Sequence, residues 1–238
     1  MSEEVRSTTI LCVKKDNETV IASDGQVTLG SMVKKGNACK IRKFKNGKVI
    51  AGFAGSVADC MTLLDRLEGK LEKYEELERA CYELAKEWRT DKYIRNLESS
   101  IIITNGQQIL SVSGDGNVLE PENKNIASVG SGSVFALSAA RALYENTNFN
   151  AEDIVRKAMK IAGDMCIYTN HNLSLEKITV TKNSSECLKE GDETGCCVSN
   201  DTNFKVETKI DVKNMKNNIS SKNIKATTRK GVKEKAKK

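Results

Sequence analysis

The sequence predicts an α+β fold: a four-layer αββα sandwich, in which two antiparallel sheets stack face to face between two layers of helices. Strand and helix patterns come in runs (strands, two helices, strands, two helices, strand), whereas a parallel doubly wound sheet alternates them strictly. The apolar runs of the strands are nearly continuous, which indicates burial on both faces. Short polar turns between these runs are typical of antiparallel hairpins.

The first third of the chain carries four predicted strands. β-branched runs at 9–13 and 19–23 flank a polar turn at 15–18. Runs at 40–44 and 48–53 flank Asn46-Gly47, which is a strong signal for a tight hairpin turn. We therefore expect two hairpins before the first helix.

Two helices are predicted between residues 56 and 94, where the apolar spacing changes to three and four residues. Ser56 and Asp59 resemble a capping box at the start of the first helix. Its apolar face comprises Val57, Met61, Leu64, Leu67 and Leu71. The second helix extends from Glu76 to about Ile94, and the charged residues on the other faces of both helices are interpreted as solvated surface.

The second half repeats this order. Strands are predicted at 100–104, 108–113 and 126–129, the first two joined by Asn105-Gly106. Helices follow at 133–144 and 151–167, and a last strand at 177–181. Stacking the two sheets and covering each with one helix pair buries all of these apolar faces, which gives the four layers.

The domain boundaries follow from charge and periodicity. Residues 1–179 hold 24 Lys and Arg against 24 Asp and Glu, while residues 180–238 hold 14 against 8. The tail therefore supplies the whole net charge of +6. We expect a prosegment at 1–7 that is removed on maturation, a catalytic domain at 8–181, and a basic, disordered extension at 182–238, since such a composition buries too little apolar area to offset chain entropy.

The composition excludes several classes of protein. The single histidine, His171, rules out a zinc site built on several histidines, and the eight cysteines form no C-x-x-C pair. We interpret the cysteines as small buried hydrophobes in a reducing compartment. No apolar run approaches the roughly 20 residues needed to cross a bilayer. We expect a cytoplasmic protein, with the mitochondrion as the alternative if the organism is eukaryotic.

Thr8, at the start of the first strand, is the candidate nucleophile. A threonine hydroxyl needs a base, and the free α-amino group of the same residue, with an ordinary pKa of about 7.7–8, can serve as that base. While residues 1–7 remain attached this nitrogen is an amide, so cleavage between Ser7 and Thr8 would activate the enzyme. The alternative is that Thr8 and Thr9 merely open a β-strand.

Four further residues could complete such a site. Lys40 would supply positive charge that depresses the pKa values of the amine and the hydroxyl, and Asp24 would hold Lys40 charged and oriented. Gly52 could let substrate approach a backbone N–H that acts as an oxyanion donor, or it could be a packing glycine. Ser131 lies in a strand-to-helix turn, in a glycine-rich loop that lacks the Lys-Ser/Thr sequence of a phosphate-binding P-loop.

Six segments together resemble the HslV (ClpQ) family, the peptidase subunits of bacterial-type proteasomes. They are residues 8–10, 21–30, 35–37, 48–55, 88–91 and 162–171. The similarity extends from Thr8 to about Ile178. It implies the fold of the N-terminal nucleophile hydrolases, the same αββα sandwich, and the chemistry of a threonine endopeptidase.

The resemblance also implies a role for individual residues. Thr8 matches the nucleophile, Asp24 and Lys40 its acidic and basic partners, Ser131 the assisting serine, and Gly52 the glycine whose N–H faces the oxyanion. A structural sodium ion, bound through backbone carbonyls, would lie at Gly163, Cys166 and Thr169. No cofactor is implied for bond cleavage itself.

The same resemblance implies stacked hexameric rings forming a dodecamer, capped by an HslU-type AAA+ ATPase that alone uses ATP and delivers unfolded protein. Many relatives have only a methionine before the threonine, and the basic extension has no counterpart. Two alternatives stay open: a non-catalytic ring subunit that keeps its leader, and a nucleic-acid-associated protein acting through its tail, although residues 208–238 contain no aromatic residue for stacking on bases.

Overall fold

Twelve strands and four α-helices make up the described part of the chain, which in this computed structural model covers residues 8–92, 99–181 and the backbone of 203–210. The strands are β1 Thr9–Lys15, β2 Glu18–Ser23, β3 Val27–Leu29, β4 Met32–Lys35, β5 Ile41–Phe44, β6 Val49–Gly55, β7 Ser99–Thr104, β8 Ile109–Ser113, β9 Val118–Leu119, β10 Ile126–Gly130, β11 Ser174–Thr181 and β12 Asn203–Ile210. The helices are α1 Val57–Lys73, α2 Leu77–Thr90, α3 Ser133–Asn146 and α4 Ala151–Met165.

Two five-stranded sheets form the centre of the molecule. One has the strand order β10-β1-β2-β11-β12 and the other β5-β6-β7-β8-β9, while β3 and β4 form a separate hairpin. Each strand pair in the two large sheets is antiparallel. The predicted hairpins β1–β2, β5–β6 and β7–β8 are therefore confirmed.

Three hydrophobic cores define the layers. In the first, side chains of α1 and α2 such as Leu64 and Trp88 pack on the sheet that contains β6 and β7. In the second, α3 and α4 pack on β1 and β2 through Ala140 and Ile154. The third core lies between the sheets, so the order is helices, sheet, sheet, helices. This confirms the predicted αββα sandwich.

Several details differ from the sequence-based expectation. The hairpin β3–β4 was not predicted, because all four residues of β4 are exposed and show no burial pattern. Ser56 is the N-cap of α1 but makes no side-chain capping bond, so the proposed capping box is wrong. Met61, assigned to the apolar face of α1, is 47% exposed, while Leu64, Leu67 and Leu71 are buried.

The five cysteines within the described residues follow the expected pattern with one exception. Cys12, Cys60, Cys81 and Cys166 are buried and free, whereas Cys39 is free but exposed. Burial raises the pKa of the Cys60 thiol to about 11 and that of the Cys81 thiol to about 12. These two thiols therefore stay protonated near neutral pH and act as small apolar groups. Within the described residues, none of the helices combines the length and the apolar character needed to cross a membrane.

β12 lies in the C-terminal extension, for which the sequence predicts no secondary structure. It pairs with β11 along its whole length, from Asn203 opposite Thr181 to Ile210 opposite Ser174. β11 is thereby paired on both sides, with β2 on its other edge. The rest of the extension, and the proposed prosegment 1–7, lie outside the described residues.

Gly52 lies where the two sheets approach each other. A Cβ atom there would stand 2.7 Å from Cγ2 of Ile10 and 3.0 Å from Cδ1 of Ile21, both on the opposite sheet. These isoleucines are fully buried and cannot move aside without disturbing the packing. The structure thus favours the packing interpretation of Gly52, one of the two that the sequence leaves open.

We expect Gly52→Ala to destabilise the fold by about 1–2 kcal/mol, because overpacking outweighs the entropy gained by removing a glycine. Gly69→Ala on α1 is the matched control, since nothing lies within 4 Å of its missing Cβ. There the same change should stabilise by about 0.5–1 kcal/mol. Chemical unfolding at fixed protein concentration measures both; equal effects of the two variants would contradict the packing argument.

Removing β12 should expose one edge of β11. In a strand paired on both sides, successive N–H groups point alternately to the two neighbours, so we expect about half of the amides of 174–181 to exchange at least about tenfold faster in a chain that ends at residue 202. A chain that ends at residue 210 is the control and should retain their protection. Hydrogen exchange by mass spectrometry tests this, and identical exchange in both truncations would refute the pairing.

Candidate active site

Thr8 lies at the start of β1, against the end of β10. The N–H of Ser131 donates to the Thr8 carbonyl at 2.8 Å, and Thr8 is only 4% exposed. Gly130 has a φ of 97° and passes so close to the Thr8 carbonyl that a side chain would collide with it. A glycine is therefore required here, and the turn after β10 brings the backbone of Ser131 to the Thr8 carbonyl.

Asp24 is placed beside the first strand by the pairing of β1 with β2. Ile10 pairs with Ser23, the last residue of β2, so Asp24, which follows β2, reaches the backbone of Thr9. The Thr9 N–H donates to Oδ1 of Asp24 at 2.8 Å, and the Asp24 N–H donates to the Thr9 carbonyl at 3.1 Å. The fully buried carboxylate thus contacts the residue that follows the candidate nucleophile.

Lys40 completes a buried ion pair. Its Nζ lies 3.0 Å from Oδ1 of Asp24 and donates to the Gln26 carbonyl at 2.5 Å. Lys40 precedes β5, and its carbonyl accepts from the Phe53 N–H of the neighbouring strand at 3.1 Å. Burial lowers the pKa of the Lys40 ammonium below its ordinary value, and the charge and hydrogen bond of Asp24 partly oppose that shift.

The Asp24 carboxylate is fully occupied by donors. Oδ1 accepts from the Thr9 N–H and Lys40 Nζ. Oδ2 accepts from the Gln26 N–H at 2.9 Å and from the Asn170 N–H at 3.4 Å. A buried charge is tolerated only when it is paired and hydrogen-bonded, and four donors meet that requirement. Asp24 is consequently fixed in position from both sides.

Thr9 links two loops of the site, the one after β10 and the one after α4. The sequence indicates only that Thr9 opens a strand. Its Oγ1 accepts from the Gly132 N–H at 2.9 Å and lies 2.7 Å from Oγ1 of Thr169. Thr9 is fully buried and Thr169 is 5% exposed. Because these partners are more than 120 residues from Thr9, no local sequence pattern could have revealed the contact.

The end of β6 also reaches this cluster. The missing Cβ of Gly130 would contact Cβ of Ala54 at 3.2 Å, so Ala54 stands next to the backbone that holds Thr8. Gly55, the last residue of β6, has a φ of 137°. Gly52 and Gly55 belong to the same glycine-rich segment, residues 52–55.

The three residues predicted to hold sodium lie together at the end of α4. Gly163 is in the last turn of the helix, and Cys166 is its C-cap. The Thr169 N–H donates to the Cys166 carbonyl at 3.0 Å. Across the described residues, His, Cys, Asp and Glu side chains form no group of three or more that could hold a metal ion.

Comparisons with known proteins bear on the family and on the fold. The family model described as proteasome subunit matches residues 4–178. The structure of eukaryotic HslV from Trypanosoma brucei is 46% identical, with a TM-score of 0.69, over 71% of this chain and 98% of that chain. The fold also matches Thiobacillus denitrificans BPH in complex with epoxomicin, at 22% identity and a TM-score of 0.60, over 73% of this chain and 100% of that chain.

We expect Thr9→Val to reduce stability by about 1–3 kcal/mol, since the isosteric side chain leaves the Gly132 N–H without its acceptor. Thr90→Val is the control, because the Thr90 hydroxyl bonds only to helix carbonyls and is exposed; it should change stability by less than about 0.5 kcal/mol. Thermal and chemical unfolding measure both, and a neutral Thr9→Val would show that the contact contributes little.

Proposed function

We propose a function from one premise: this chain belongs to the proteasome subunit family and is HslV-like. In this function, Thr8 is the nucleophile of a threonine endopeptidase. The observation that carries the proposal is the buried Asp24–Lys40 ion pair, whose shared oxygen also binds the Thr9 N–H. Burying a lysine costs desolvation free energy even when it is paired, and strongly perturbed buried charges concentrate at functional sites. Here the oxygen that holds the ammonium also binds the N–H of Thr9, the residue after the candidate nucleophile.

The proposed reaction begins with cleavage of the Ser7–Thr8 bond, which turns the Thr8 amide into a primary amine. That amine takes the proton of the Thr8 hydroxyl as Oγ1 attacks the carbonyl carbon of the substrate. The protonated amine then gives its proton to the departing amine of the substrate, leaving an ester on Thr8. Water, activated by the same amine, hydrolyses the ester and restores the hydroxyl.

Lys40 is proposed to act through its charge. A nearby ammonium lowers the pKa values of both the Thr8 amine and the Thr8 hydroxyl, so the amine is unprotonated and able to act as a base near neutral pH. Asp24 keeps the ammonium in place. With little solvent around the pair, the field of Lys40 is weakly screened.

The reaction also needs a donor for the oxyanion. The sequence suggests the Gly52 N–H for this role, but β6 lies between β5 and β7, and Gly52 is paired with Ile41 on one side and with Ile102 on the other. We infer that the backbone of Ala54 and Gly55, next to Thr8, is better placed to supply such a donor. Ser131 is proposed to assist through its hydroxyl, in a turn tied to the Thr8 carbonyl.

A structural sodium ion is proposed at the loop after α4, held by the carbonyls of Gly163, Cys166 and Thr169. The donor set fits, because carbonyls in the last turn of a helix have no partner within the helix and hard cations prefer oxygen ligands. Such an ion would neutralise these carbonyl dipoles and hold the loop that carries Thr169 against Thr9.

The assembly is likewise proposed from the family. Proteasome-type peptidases enclose their active sites in rings, and we propose stacked hexameric rings capped by an HslU-type ATPase that unfolds protein substrates and alone consumes ATP. We propose a cytoplasmic location, or a mitochondrial one in a eukaryote. The Trypanosoma brucei protein, described as eukaryotic HslV, supports the peptidase part of this proposal.

Thr8→Ala should lower peptide hydrolysis by at least about 10³-fold, because it removes the nucleophile, while the ring still assembles because little buried area is lost. Thr8→Ser is the control: it keeps a hydroxyl and should retain measurable activity. The assay is hydrolysis of a fluorogenic peptide, with native mass spectrometry reporting both ring size and the first residue of the mature chain. Full activity of Thr8→Ala, or an active wild type that still begins before Thr8, would refute the mechanism; an inactive ring with its leader intact would indicate a structural subunit.

A further inference from the structure

Three separate segments meet at the side chain of Asn170. Its Oδ1 accepts from the Gly25 N–H at 3.0 Å and from the Asn172 N–H at 3.1 Å. Its Nδ2 donates to the Gly36 carbonyl at 2.9 Å. Its backbone N–H donates to Oδ2 of Asp24 at 3.4 Å. Asn170, in the loop after α4, thus bonds both to the turn that carries Asp24 and to the segment that leads to Lys40.

The packing at this junction leaves no room for adjustment. A Cβ on Gly25 would lie 2.5 Å from the Gly36 carbonyl oxygen and 2.9 Å from Cα of Asn37. The Ala38 N–H donates to the Gly25 carbonyl at 2.9 Å. Segment 36–38 is therefore pressed against the turn after Asp24, and Lys40 follows two residues later.

We propose that Asn170 is a positioning residue that fixes the separation of Asp24 and Lys40, and so the place of the ammonium charge relative to Thr8. This inference rests on the proposed function and deepens it. Asn170 acts through the ion pair: its side chain bonds to the two backbone segments that carry the pair, and its backbone N–H donates to the Asp24 carboxylate. Loss of this link should allow segment 36–38 to move away from Gly25.

The chemistry of the amide explains why asparagine suits this position. The site presents two N–H donors on one side and a carbonyl acceptor on the other, and a planar amide offers the matching oxygen and NH₂ group in one rigid unit. Aspartate would place a second acceptor against the Gly36 carbonyl. Alanine would leave the Gly25 and Asn172 N–H groups without this acceptor and would remove one of the two side-chain bonds to the Gly36 carbonyl.

Asn172 provides a matched control within the same loop. Its Nδ2 donates to the same Gly36 carbonyl, at 2.7 Å, but among the described residues its side chain does not bond to Gly25. Asn172→Ala therefore removes one bond to Gly36 and leaves the Asn170 side chain bridging Gly25 and Gly36. Comparing the two alanine variants separates tethering of Gly36 from positioning of the ion pair.

The experiment compares wild type, Asn170→Ala and Asn172→Ala, each cleaved before Thr8 and each retaining the C-terminal extension. Two rates are measured: steady-state hydrolysis of a fluorogenic peptide, and labelling of Thr8 by a peptide vinyl sulfone. We expect Asn170→Ala to lower kcat and the labelling rate at least about tenfold with KM within twofold, since small misplacements of catalytic groups cost rate rather than binding. Asn172→Ala should stay within threefold. Unfolding temperature and ring size are recorded for each variant.

Equal losses in both variants, or a rise in KM at unchanged kcat, would overturn the proposal. If Asn170→Ala does not assemble, Asn170→Asp decides: it keeps the shape and the Oδ1 acceptor, and a wild-type kcat would refute the role. A wild type that cleaves no peptide refutes the proposed function, and this inference with it. An active wild type with an equally active Asn170→Ala refutes the inference alone.

Discussion

The site depends on one shared carboxylate oxygen. Oδ1 of Asp24 binds both the Lys40 ammonium and the backbone N–H of Thr9, so a single atom fixes a cation relative to the first strand. The second oxygen binds the turn after β2 and the loop after α4. Three segments that are distant in sequence from Asp24, at Thr9, Lys40 and Asn170, therefore meet at this residue, and none of them can shift without disturbing a fully buried charge.

The layered architecture explains why the residues of the site are shielded from solvent. It lies at the ends of β1, β2 and β10, where the sheet meets the loops that follow it, and the facing sheet approaches closely because Gly52 has no side chain. Small residues of α3 and α4, such as Ala140 and Ala158, pack on the other face of this sheet. Close packing on both faces removes water, and a charge held in such surroundings acts over a longer range than one at the surface.

Most of the fold could be predicted because its strands and helices are buried on definite faces. β1, β2 and β6 are nearly continuous apolar runs, and Asn46-Gly47 marks its hairpin. β4 is exposed throughout and gave no such signal. In the site, Thr8, Asp24, Lys40 and Ser131 could be proposed from motifs, and the structure brings them together. Thr9 and Asn170 could not, since their roles rest on partners more than 120 residues away.

The contacts around Thr9 have a consequence for how such an enzyme would be switched on. Three of them, the Thr9 N–H on Asp24, the Asp24–Lys40 pair and the Ser131 N–H on the Thr8 carbonyl, do not use the backbone nitrogen of Thr8. Under the proposed mechanism, maturation changes the chemistry of that nitrogen alone. These three contacts can therefore be the same before and after cleavage, and activation would need no rearrangement of them.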